Sequence, residues 1–110
     1  MDVSYIRELL KNTPEEKIIL RDRIKSKIED FHKLPTDSVF HHLKNPENLI
    51  IVQEQEPLQT DSRTFRLIFK ESESKKIVIV ITEKPDKEIF IVTAFPSTKK
   101  AEKLTRKLIR

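Results

Sequence analysis

Four places in the sequence carry side chains suited to chemistry on a charged substrate. His32 closes the segment 21–32, where Leu20, Ile24, Ile28 and Phe31 recur at three- and four-residue steps and form one apolar stripe. At about 100° per residue, His32 falls with Arg21 and Lys25 along the border of that stripe, near a core yet open to solvent. An imidazole there can exchange protons near neutral pH, and the position equally suits an ordinary boundary residue. RTFRLIFK, 63–70, alternates: Phe65, Leu67 and Phe69 face one way, Thr64, Arg66, Ile68 and Lys70 the other. Its second face therefore presents cations and a hydroxyl, which also suit plain solubility. EIFIVTAFPSTKK, 88–100, runs from an apolar strand through Thr93 and Phe95 to a proline, Ser97 and two lysines. It is either the end of a core strand or the lip of a site. Residues 97–110 hold six basic side chains against one acidic, while the rest of the chain holds 16 basic and 17 acidic. A local basic strip (Lys99, Lys100, Lys103, Arg106, Lys107) can hold a polyanion such as RNA. It can also be a solvated helix whose cations suit its C-terminal dipole.

Composition narrows the chemistry. The 110 residues suit one domain with one modest core, and 36% apolar residues in periodic blocks predict a folded chain. Without cysteine there are no disulfides, thiolate zinc sites or cysteine nucleophile. Without glycine, the tight backbone turns that cradle phosphates in P-loop and dinucleotide folds are very unfavourable. His41 and His42 diverge by about 100° on a helix and cannot readily share a metal. No metal and no cofactor are expected. No stretch approaches a membrane span and the first residues lack a signal-peptide core, so the expected location is the cytoplasm, with no membrane partner.

The elements that must position these residues follow from periodicity. Residues 3–11 read as a short helix with Ile6, Leu9 and Leu10 on one side, broken by NTPEE, where Thr13 can cap and Pro14 fits a first helical turn. KIIL, 17–20, is a brief strand or the start of helix 21–32. A helix over 36–44 takes Thr36 as N-cap and buries Val39, Phe40 and Leu43; Asn45-Pro46 ends it. Strands are predicted at 48–54, 63–70, 75–82 and 88–95. The last two have apolar residues on both faces, which suits coverage by helices or a dimer interface. Pro96 is expected to end the last strand, and Ser97 or Thr98 to cap a basic helix through 109. The fold class is α+β: N-terminal helices, about four antiparallel strands in a meander, and a C-terminal basic helix.

The ordered span KIEDFHKLPTDSVFHHLKNPENLI … RTFRLIFK … KKIVIVIT … IFIVTAFP resembles the small ribonuclease superfamily of barnase, EndoU, the tRNA-cutting colicins and RelE-type toxins. It is most similar to the phage-associated and toxin-like members. Their helix ending in histidine falls at His32, their Asn-Pro turn at Asn45-Pro46, their basic strand at Arg63 and Arg66, and their last strand end at Thr93-Ala94-Phe95. The sequence departs from them in FHKLP, where a His-Pro pair is common, and at Phe95, where tyrosine is frequent.

The resemblance implies metal-independent RNA cleavage, in which the ribose 2′-oxygen attacks the adjacent phosphorus. A base must take that proton, an acid must protonate the 5′-oxygen, and fixed cations must hold the phosphorane charge. It implies His32 as base or acid, Arg66 and Arg63 on the phosphate, and Thr93 or Ser97 as hydroxyl donor. Lys70 and the C-terminal cations would bind RNA. A protein antitoxin or inhibitor is an expected partner of a monomer or homodimer. The competing expectation is a noncatalytic RNA- or protein-binding module using residues 97–110, or a domain whose basic helix only packs on the sheet.

Overall fold

The computed structural model describes residues 3–57 and 61–97. Its elements are α1 (Val3–Asn12), β1 (Ile18–Ile19), α2 (Asp22–Ser26), α3 (Thr36–Lys44), β2 (Leu49–Gln55), β3 (Arg63–Lys70), β4 (Lys76–Glu83) and β5 (Ile89–Ser97). The class is α+β as expected. The sheet is mixed and five-stranded, in the order β1-β5-β4-β3-β2. The expected four-strand meander is its antiparallel part. KIIL supplies the fifth strand, pairing parallel with Ile89 and Phe90. The expected C-terminal helix lies outside the described residues. No helix among the described residues is long and apolar enough to cross a membrane.

Strand alternation sets the core. Phe65, Leu67 and Phe69 stand opposite Ile81, Ile79 and Ile77, and this face packs on Ile6 and Leu10 of α1, Val39 and Leu43 of α3, and Ile28. Burying each such large apolar side chain contributes about 1.5–3 kcal/mol. Arg7 ties α1 to the turn before β2 by donating to the carbonyls of Pro46, Glu47 and Leu49 at 3.2, 3.1 and 2.9 Å. Thr13 Oγ1 donates to the Leu9 carbonyl at 2.6 Å, so the hydroxyl closes the end of α1.

The second face of the sheet differs from expectation. Thr64, Arg66 and Ile68 are buried, as are Val78 and Thr82, and the Thr64 and Thr82 hydroxyls share a hydrogen bond of 3.1 Å. β3 is thus covered on both faces.

Two bulges decide which side chains reach which face. In β5, Thr93 pairs with Val80 but Ile91 pairs with Ile81, leaving Val92 as the extra residue. Strict alternation would put Ile89, Ile91, Thr93 and Phe95 on one face. The bulge instead keeps Ile91 and Ala94 in the core and turns Thr93 and Phe95 to the second face. In β2, Ile50 is the extra residue between Leu49 and Ile51, so Leu49 and Val52 both reach the core.

β5 also runs through Pro96 to Ser97, two residues past the expected stop. β1 pairs only with Ile89 and Phe90, so the later part of β5 has no strand on its outer edge among the described residues. Proline is tolerated on such an edge because no ladder donor is needed there.

Without glycine, lysine occupies both positive-φ positions among the described residues, Lys33 (56°) and Lys87 (73°). At the β4–β5 hairpin the Lys87 N–H donates to the Lys84 carbonyl at 3.0 Å, and the Lys84 N–H to the Glu88 carbonyl at 2.9 Å. A side chain in this left-handed position is strained by about 1–2 kcal/mol, part of which glycine would return as backbone entropy. Lys87→Gly is therefore expected to raise the unfolding free energy by about 0.5–1 kcal/mol, read as a higher urea midpoint at unchanged slope.

Candidate functional site

The helix begun by α2 does not finish as an α-helix. From Lys27 to Phe31 it opens into one π turn, in which the His32 N–H donates to the Lys27 carbonyl at 3.2 Å. The wider turn rotates the residues after Ile28. Ile28 remains in the core, but Phe31, expected on the same apolar stripe, is 79% exposed. The turn closes with Lys33 in the left-handed conformation and the Leu34 N–H on the Ile28 carbonyl at 3.1 Å. Thr36 is the first residue of α3 after an N-cap at Pro35. Its hydroxyl donates to Glu29 Oε2 at 3.1 Å, joining the π turn to α3, in place of the expected cap.

This construction lays His32 against the end of β5. Its ring lies 5.7 Å from the Phe95 ring and 5.5 Å from that of Phe31, the latter edge-on. Partial burial pushes the His32 pKa below the usual histidine value, and the Lys27 ammonium pushes it the same way. Both causes favour the neutral imidazole, the form able to accept a proton.

The residues that follow these two rings in the chain line a cleft of about 480 Å³. Lys33, Lys75 and Lys76 line it with Ser38, Ser97 and a single carboxylate, Glu71. It is linked to the histidine twice through the chain: Lys33 follows His32, and Pro96 and Ser97 of the wall follow Phe95. The sheet register sharpens its charge, because Lys70 stands directly opposite Lys76, and Lys76 opposite Ser97. Like charges paired across strands repel. Lys70 is eased by Glu73 at 3.8 Å. An anion placed here relieves that repulsion.

The other expected site residues are distributed as follows. Thr93 is on the same face as Phe95, two residues back along β5. Arg66 shares Thr93's cross-strand row, with Val80 between them, so their backbones are two strand spacings, about 10 Å, apart. Arg66 is only 2% exposed, and its Nη1 donates to Gln53 Oε1. Arg63 is on the opposite face. It donates twice to Glu54, at 3.0 and 3.1 Å, and to the Tyr5 hydroxyl at 3.3 Å, while its guanidinium stacks on Tyr5 and Phe65. Arg63 does not join His32. Lys70 is at the exposed end of β3 near the cleft, and Lys99, Lys100, Lys103, Arg106 and Lys107 lie outside the described residues.

Comparison with family models, curated proteins and solved structures yields no match.

Lys33, Lys75 and Lys76 were not singled out by sequence reasoning, since a lysine in a turn or at a strand's start looks like ordinary solvated charge. The usable signal was the register: pairing 63–70 with 75–82 and then 88–95 brings Lys76 next to Ser97.

His42, expected near an edge, is buried against the Phe69 ring at 5.3 Å, with Nδ1 lacking a hydrogen-bond partner among the described residues. Burial lowers its pKa, with Glu71 opposing and His41 assisting. Between about pH 6.5, the ordinary value, and the lower folded value, the unfolded chain binds more protons than the folded one. Stability should accordingly fall as pH drops through that window. His42→Phe, which removes the titration in a site of similar shape, is expected to shrink the difference in Tm between pH 7.5 and 5.5.

Proposed function

We propose that the chain is a metal-independent endoribonuclease in which His32 is the base and the lysine cleft holds the phosphate. The observation that carries this reading is that His32, whose ring meets Phe95, and Phe95 itself are each followed in the chain by residues lining a cleft with three lysines and one carboxylate. His32 takes the proton of a ribose 2′-hydroxyl as its oxygen attacks phosphorus. The bond to the 5′-oxygen breaks, a cleft ammonium protonates that oxygen, and the products are a 2′,3′-cyclic phosphate and a 5′-hydroxyl. The ammonium groups neutralise the phosphorane oxygens as charge develops. Thr93 and Ser97 lie on the same face as Phe95 and carry the hydroxyls of this reading. The phosphate cations of this reading are Lys33, Lys75 and Lys76, because Arg63 is engaged on the other face and Arg66 is buried. If the activity harms its host, a protein inhibitor with an acidic surface would cover the same lysines.

The test is incubation of purified protein with RNA in excess chelator, with the ends of the products identified. Cyclic phosphate ends, and no cleavage at a 2′-deoxy linkage, are expected. RNA that is bound but left intact would replace this reading by the noncatalytic module.

A further inference from the structure

Phe31 is the most exposed of the large apolar side chains named among the described residues, at 79%. The other three, Tyr5, Ile50 and Ile51, are near 40%. A single exposed phenyl is unremarkable on most surfaces, but two observations set this one apart. The π turn takes Phe31 off the stripe that buries Ile28, so local backbone geometry turns the ring outward. The ring also forms one end of a continuous aromatic strip, Phe31–His32–Phe95, and the residues after its far end, Pro96 and Ser97, line the lysine cleft.

A flat apolar ring beside a groove of cations matches one class of ligand chemically. Single-stranded nucleic acid offers bases whose faces stack on aromatics, and a backbone whose phosphates track lysines. A duplex hides its base faces in the stack. A purely acidic peptide would use the lysines and leave the ring unoccupied.

We infer that Phe31 is the stacking platform for an unpaired RNA base next to the phosphate held by Lys33, Lys75 and Lys76, so that the ligand is single-stranded. This rests on RNA being the substrate of the His32 site. The base covers the exposed ring, the sugar lies across the imidazole, and the phosphate enters the cleft.

The experiment uses a short 2′-O-methyl oligoribonucleotide, which cannot be cleaved, its counterpart with abasic sites, and a duplex of equal length. Phe31→Ala should weaken binding of the single strand roughly 5- to 100-fold, the range of one stacked base, and change binding of the abasic and duplex probes less than about twofold. As the chain contains no tryptophan, Phe31→Trp supplies a unique fluorophore, expected to be quenched by the intact strand and unchanged by the abasic one. Equal binding of the intact strand by wild type and Phe31→Ala, with no quenching in Phe31→Trp, overturns the inference and leaves Phe31 as a residue for protein contact. Loss of stacking with RNA cleavage retained would sink this inference alone. Stacking without any cleavage of ordinary RNA would sink the nuclease reading alone.

Discussion

Replacing His32 with glutamine is expected to slow RNA cleavage by about 10²- to 10⁴-fold, the range of a lost general base, while leaving the fold intact. Glutamine retains hydrogen-bonding capacity but cannot take a proton, and His32 is half-exposed, so little packing is lost. The pH profile of kcat/KM carries a second, independent signature. A base acts only when unprotonated, so the rate rises with pH through the His32 pKa. Burial and Lys27 both disfavour the imidazolium, so the midpoint of that rise should lie below the ordinary value of about 6.5. Lys27→Glu reverses one of the two causes and should move the midpoint upward without abolishing the rate. A His32→Gln protein that folds and still cleaves RNA at the wild-type rate would remove His32 from the mechanism.

Replacing Lys33, Lys75 and Lys76 together by alanine is expected to weaken single-stranded RNA binding by about 100-fold at low salt. Each phosphate contact on a single strand contributes about 0.7 to the slope of log K against log salt, so losing three should flatten the slope by about 2. All three side chains are exposed, and relieving the repulsion between Lys70 and Lys76 favours folding, so the variant should be no less stable than wild type. Lys11, Lys17 and Lys87 are exposed lysines away from the cleft, and their triple replacement controls for net charge. Equal slopes for the two triple variants would show that the cleft is not where the backbone binds.

Much of the architecture was legible because it depends on local rules. Alternation in RTFRLIFK placed β3 to the residue, and the apolar runs marked β4 and β5. The proline and asparagine that end α3 acted through the dihedral limits that proline imposes on its neighbour. Helix 21–32 was legible only to Ile28, since a π turn has no counterpart in a three-and-four stripe. The open face of β3 was misjudged because alternation reports which side chains share a face and is silent on what covers it. The parallel pairing of Ile18 and Ile19 is a contact across some 70 residues, for which a two-residue strand carries no periodicity.

The candidate site divides along the same line. Residue types and local order by themselves determined that His32 closes the helical segment, that no glycine-built phosphate loop exists, and that Thr93 and Phe95 lie in the last strand near its end. Only the tertiary structure decided that a one-residue bulge at Val92 turns Thr93 and Phe95 out of the core, that His32 meets Phe95, and that Arg63 pairs with Glu54 on the opposite face. It also brought Lys33, from the turn after the helix, into one cleft with Lys75 and Lys76 at the start of β4. Periodicity follows from backbone geometry within a few residues, and a site like this one depends on register and helix-end geometry that are set only when distant segments pack.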